Sequence, residues 1–136
     1  MAIAMPAPVA HREYFAGVAA SIPAARSWAL GLLPADCPRA GDVALVVSEL
    51  ATNAILHSAS GQVGGRFAVQ VELEPGTVGL TVIDLGPALV PLQREPREGG
   101  HGLELVQGLA DVYDVRAEPA SRTVCCWLDW QSPEVT

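Results

Sequence analysis

The chain of 136 residues contains no lysine. That absence excludes the pattern G-x-x-x-x-G-K-[ST], whose lysine reaches the terminal phosphates of a nucleotide. It also leaves eight arginines to balance fifteen acidic residues, for a net charge of −7. They are scattered, and Arg94 and Arg97 are interleaved with Glu95 and Glu98. A phosphate backbone requires clustered cations, so nucleic acid is excluded as a partner. Cysteine is sparse: Cys37, Cys125 and Cys126 form neither an even disulfide set nor a C-x-x-C pair, and free thiols in a reducing compartment are expected. His11, His57 and His101 are too dispersed to suggest zinc. No stretch approaches the roughly 18 unbroken apolar residues of a membrane span. The start, MAIAMPAPVAHREYF, lacks the charged segment and continuous apolar core of a signal peptide. The expectation is a cytoplasmic protein with no membrane or nucleic-acid partner, one domain over 1–136 with a loosely ordered tail over about 1–13.

What is present is enough apolar residue to fold. Half the chain is hydrophobic and 17% is charged, which favours a packed core over disorder. Ser21-Ile22-Pro23 opens a first helix, with Ser21 as N-cap and Pro23 in the first turn, ending before Pro34. Ile22, Ala25, Trp28, Ala29, Leu32 and Leu33 point inward. A second helix is expected over 39–57, because apolar residues recur at 43, 46, 47, 50, 51, 54 and 55. Ser58 to Gly65 is a turn-rich connection. The period then changes to two: Phe67, Val69, Val71 and Leu73 alternate with Ala68, Gln70, Glu72 and Glu74. Pro75-Gly76 turns the chain into a second strand, Thr77 to Ile83. Leu85 to Gly102 shows no periodicity and is a long loop. A third helix over Leu103 to Ala110 and strands at Val112 to Ala117 and Thr123 to Trp130 close the pattern. A short edge strand near Tyr14–Val18 is a further element. This order predicts an α+β two-layer sandwich, helices on one face of a mostly antiparallel sheet. Cys125 and Cys126, adjacent in a strand, should face opposite sides.

Three segments could carry chemistry. The second helix holds Glu49, Asn53 and His57 four residues apart, a polar stripe beside an apolar face. Asp84 in Val82-Ile83-Asp84-Leu85-Gly86-Pro87 ends a strand; its carboxylate could accept from an exocyclic amine, with Gly86 leaving space for a flat ring. The same residues also read as an ordinary turn. Glu98-Gly99-Gly100-His101-Gly102-Leu103 enters the third helix, where glycines and free N–H groups can cradle phosphate, although glycine-rich loops before helices are common without one.

In this order, Glu49-x-x-x-Asn53, Asp84-x-Gly86 and Gly100-x-Gly102-Leu103 resemble the Bergerat-type ATP-binding fold shared by gyrase, Hsp90, histidine kinases and MutL. The resemblance is strongest to the stand-alone anti-sigma-factor serine kinases and their actinobacterial relatives, and covers about residues 15–130. Ser21-Ile22-Pro23-Ala24-Ala25-Arg26 resembles that branch's first-helix opening and Arg122-Thr123-Val124 its last strand. The resemblance implies ATP and Mg²⁺ as cofactors. It implies Asn53 as Mg²⁺ ligand and Glu49 as general base. Asp84, helped by Thr123, takes the adenine amine; Gly86 lies under the base; Gly100, Gly102 and the Leu103 amide receive phosphate. The implied activity is a serine/threonine protein kinase acting on an anti-sigma-factor antagonist, with a sigma factor as a second partner and a homodimer as a family habit. The alternative is a module that binds ATP and sequesters partners without kinase activity. The chain departs from the family pattern at Ala88, where a glycine is usual, and at Ser121-Arg122, where a glycine turn is frequent.

Overall fold

The computed structural model describes residues 9–86 and 102–130. Its elements are β1 (Val9–Ala16), α1 (Ser21–Leu32), α2 (Ala40–His57), a 3-10 turn (Ala59–Gly61), β2 (Arg66–Glu74), β3 (Thr77–Asp84), α3 (Gly102–Leu109), β4 (Val112–Glu118) and β5 (Ser121–Asp129). The strands form one sheet in the order β1-β2-β3-β5-β4, every neighbouring pair antiparallel. The three helices pack against it, as the α+β sandwich requires.

The register divides the sheet into two faces. Phe67, Val69 and Val71 of β2, Val78, Leu80 and Val82 of β3, and Val124, Cys126 and Leu128 of β5 are buried under the helices. Against them α2 presents Val43, Val46, Val47, Leu50, Ala51 and Ala54, all buried, with Ile55 partly buried. Those are the seven positions of the apolar period. From α1 come Ala25 and Ala29, flanked by half-buried Ile22, Trp28, Leu32 and Leu33. Phe15 of β1 stacks on Phe67 at 5.7 Å and meets Trp28 edge-on at 6.0 Å, joining the edge strand to the helical layer.

Two local expectations are corrected. Ser21 is the first helical residue and not the cap; Ala20 occupies that place, and no side chain caps the helix. The preceding turn does the work, since Ser21 N–H donates to the Val18 carbonyl at 2.9 Å and Ile22 N–H to Ala19 at 3.1 Å. Residues 9–13, expected within the tail, belong to β1 and pair with Val69 to Leu73 of β2. The long loop expected over 85–102 lies, for 87–101, outside the described residues.

Arg39 ties the far end of the sandwich together. From the start of α2 its Nη2 donates to the Leu109 carbonyl at 2.7 Å, its Nη1 to Asp129 O at 3.0 Å and to the Asp111 carboxylate at 3.1 Å, and its Nε to Asp42 at 3.0 Å. One guanidinium thus fixes the end of α3 against α2 and β5. No helix among the described residues is long and apolar enough to cross a membrane.

Cys125 and Cys126 do face opposite sides: Cys126 pairs with Leu80 on the core face and is fully buried, while Cys125 pairs with Thr81 and is half-exposed. Burial, reinforced by the neighbouring Cys125, pushes the Cys126 thiol up from 9.0 to about 12. A raised folded-state value means the stabilising effect is complete below pH 9 and is lost as pH rises through the window from 9 to about 12, where the unfolded chain ionises first. Titration with a thiol reagent at pH 8 should therefore modify Cys37 and Cys125 in the folded protein and Cys126 only after denaturation. Modification of all three at one rate would contradict this packing.

Candidate functional site

The polar stripe of α2 runs along one border of its buried face. Glu49 and Asn53 are half-buried and His57, at the helix end, is exposed. Beside Glu49, Ser48 accepts a hydrogen bond from Arg26 Nη1 of α1 at 3.0 Å and donates to the Ala44 carbonyl at 2.7 Å. Thr52 likewise donates to Ser48 O at 2.7 Å. The first two helices are thus locked to each other at the level of Glu49.

Past His57 the chain makes a joint that sequence reading treated only as a turn. Ser58 Oγ donates to the Ala54 carbonyl at 2.6 Å and accepts the Ser60 N–H at 3.0 Å. Ser60 Oγ in turn accepts the Leu85 N–H at 2.9 Å, and Ala59 N–H donates to the Gly86 carbonyl at 2.9 Å. Both serines are fully buried. Gly17 closes the other side: a Cβ there would stand 1.6 Å from the Ser60 carbonyl oxygen, so only glycine fits. The available signal was a pair of small hydroxyl residues straight after an apolar helix, the type that redirects backbone donors locally. Through this joint the C-terminal end of α2 is bonded to the residues just after β3.

Asp84 is the last residue of β3. It lies on the helix side in line with Val78, Leu80 and Val82, and is 2% exposed. Its Oδ1 accepts the Gly86 N–H at 2.8 Å. Its Oδ2 accepts from Arg122 twice, from Nε at 3.0 Å and from Nη2 at 2.7 Å. Gly86 adopts φ +77, in the left-handed region, and a Cβ there would come within 3.1 Å of Ser121 N. The glycine is therefore required by the turn that returns one donor to the carboxylate.

The structure does not bring Thr123 to Asp84. In the β3–β5 register Thr123 stands opposite Ile83, on the face away from the helices, while Arg122 stands opposite Asp84. The partner of the carboxylate is Arg122, read from sequence as part of the last strand and as a departure from a glycine turn, with no role at the site. Its identity as partner depended on a register joining residues 38 apart in the chain. Gly102 begins α3, and Leu103 packs partly buried against the core. Gly100, His101 and Ala88 lie outside the described residues. A hollow of about 200 Å³ lined by Arg12, Tyr14, Arg66, Ile83, Leu85 and Ser121, among others, reaches Asp84. A larger one, about 530 Å³, spans Tyr14–Val18 and Gly61–Arg66 and contains none of the predicted site residues.

With this geometry the relatives can be compared. The family profile described as Histidine kinase-like ATPase domain matches residues 15–127. An anti-sigma F factor from Pasteuria penetrans is 34% identical over 95 residues, a match spanning 61% of this chain and 63% of that protein. A crystal structure of the RsbU and RsbW domains of a Mycobacterium tuberculosis protein superposes with a TM-score of 0.66 at 19% identity, covering 90% of this chain and 33% of that one. At that identity the likeness speaks for the fold.

The joint carries a direct prediction. Ser60→Ala leaves the part-buried Leu85 N–H without its acceptor, which costs about 1 kcal/mol, the low end of the range for an orphaned donor. Urea unfolding should show the midpoint lowered with an unchanged slope, whereas an unaltered midpoint would mean that the bond contributes nothing.

Proposed function

The chain belongs to the histidine kinase-like ATPase domain family, and from that premise we propose that it is an ATP-binding regulator of the anti-sigma-factor type, a serine/threonine kinase that phosphorylates an anti-sigma-factor antagonist. One observation carries the reading: a buried carboxylate and a left-handed glycine at the end of β3 are bonded to the end of the helix that bears Glu49 and Asn53. On this reading the acceptor for a base and the helix that carries the metal ligand are held on one frame.

The residues fit such a ligand. Asp84 is an acceptor-only group, suited to an exocyclic amine, and Gly86 has no side chain to obstruct a flat ring. Asn53 offers a hard amide oxygen of the kind Mg²⁺ accepts. Glu49, one turn earlier on the same stripe and half-buried, is the candidate to take the proton of an attacking serine or threonine hydroxyl. Gly102 and the Leu103 amide, with Gly100 before them, are the candidates for phosphate oxygens at the start of α3. Bound Mg-ATP supplies the transferable phosphoryl group, and phosphoryl transfer asks the protein chiefly for positioning and charge stabilisation. Support for the partner class comes from the Pasteuria relative, which is named an anti-sigma F factor; an antagonist protein and a sigma factor are the partners this reading assigns.

A second reading keeps nucleotide and partner binding without phosphate transfer, and Ala88, where the family pattern has a glycine, favours it. The Glu49 side chain separates the two. Thermal melts should show a rise of several degrees with Mg-ATP at about 100 times its dissociation constant, reversed by EDTA. Asn53→Ala should abolish that rise. Glu49→Gln should keep it while losing transfer of the γ-phosphate to the cognate antagonist. A Glu49→Gln protein that phosphorylates the antagonist at the wild-type rate would remove Glu49 as the base, and an Asn53→Ala protein with an undiminished Mg-dependent rise would remove Asn53 as the metal ligand.

A further inference from the structure

The acceptor assigned to a base is already engaged by the chain itself. An ionised carboxylate offers about four lone-pair directions. Three of them are taken in Asp84: Oδ1 by the Gly86 N–H, and Oδ2 by Nε and Nη2 of Arg122. With the side chain 2% exposed, an incoming amine has no unobstructed approach. The Gly86 donor is backbone, held by its φ of +77 and by the bond from Ala59 N–H to its carbonyl. Arg122 is a long side chain near the start of β5, and its guanidinium side is 25% exposed. Of the two partners, it is the one that can leave without unmaking the joint between α2 and β3.

We infer that Arg122 is an affinity- and specificity-determining residue of the base pocket: it is a built-in competitor for Asp84, and a nucleotide base gains the carboxylate only by displacing the guanidinium. The inference rests on the nucleotide reading above. Its chemistry is an exchange of donors. Two charge-assisted N–H donors give way to the neutral N–H of an exocyclic amine, which is the weaker donor. Displacement therefore lowers affinity for an amine-bearing base, and it masks the feature by which Asp84 tells an amine from a carbonyl. While Arg122 holds the carboxylate, a 6-oxo purine can be met by the guanidinium without displacing it, whereas a 6-amino purine reaches the acid only after the displacement. Once Arg122 is removed, Asp84 accepts from the amine and repels the oxo group.

The test compares Mg-ATP with Mg-ITP, which differs at that position in presenting a carbonyl, by calorimetry on the wild-type chain and on Arg122→Thr. The expected result is Mg-ATP binding about tenfold tighter in the variant and a similar widening of the ATP-to-ITP ratio, as a neutral donor no longer has to displace a charged one. Removing the guanidinium leaves a buried acid with one partner, so Arg122→Thr is at risk of failing to fold. Arg122→Gln retains an N–H donor without the charge, and should shift affinity and ratio in the same direction by less. A purely structural Arg122 would not move the ratio. Equal or weaker ATP binding in the variants, or a gain shared equally by ATP and ITP, overturns the competition while leaving the nucleotide reading standing. Absence of binding by every protein at millimolar nucleotide overturns both.

Discussion

The Ala59 N–H on the Gly86 carbonyl and the Leu85 N–H on Ser60 Oγ, both at 2.9 Å, are the interactions on which the site depends. They are at least partly buried and join elements whose side chains do different things, a helix with an acid and an amide and a strand that ends on an acid. They fix the turn after β3, with Gly86, to the segment that leaves α2, while strand pairing holds Asp84 and core packing holds the helix of Asn53. Such a joint is inexpensive in sequence: two serines and close-packed glycines suffice, because short side chains let the backbones approach. At the opposite end, Arg39 performs the matching task for α3 by holding its last carbonyl against α2 and β5. The core supplies most of the burial, and these polar contacts choose which residues meet.

Charge sharpens the picture. A chain of net charge −7 without lysine is a poor electrostatic host for a polyanion. On the reading proposed above, phosphate is engaged through a metal ion and backbone N–H groups, for which no lysine is required. The few arginines are largely committed elsewhere, Arg39 to Asp42 and Asp111, Arg26 to Ser48, and Arg122 to Asp84. Arg122 thereby balances the buried Asp84 carboxylate. The acid proposed to recognise a base and the cation proposed to withhold it are neighbours across two strands.

The helical layer was legible because α2 repeats its apolar residues at a strict helical period, and all seven face the core. β2 was legible from its alternation of large apolar residues with small or polar ones, although Ala68 is buried as well. β1 was less so: most of its residues are exposed, and its length is set by pairing with β2 more than by its own pattern. Ser21 misled because a good capping residue was present while backbone carbonyls in the preceding turn already met the helix's free donors. Glu49, Asn53, Asp84 and Gly86 were proposed from motif order. Arg122 was not, since its role arises from strand register, and Thr123, one residue on, points to the other face. Ser60 was hidden for a related reason: its hydroxyl meets the backbone N–H of Leu85, 25 residues on, while Ser58 acts locally on Ala54 and Ser60.

The central claim is that the end of α2, the end of β3 and the start of α3 form one nucleotide site. The most direct measurement is a two-dimensional amide spectrum of the isotope-labelled chain, titrated with Mg-ATP and then with EDTA. The account predicts shifts concentrated at Asn53, at Asp84 to Gly86, at Arg122 and at Gly102–Leu103, reversed by removal of the metal. Shifts confined to Tyr14–Val18 and Gly61–Arg66, around the larger hollow, would contradict it.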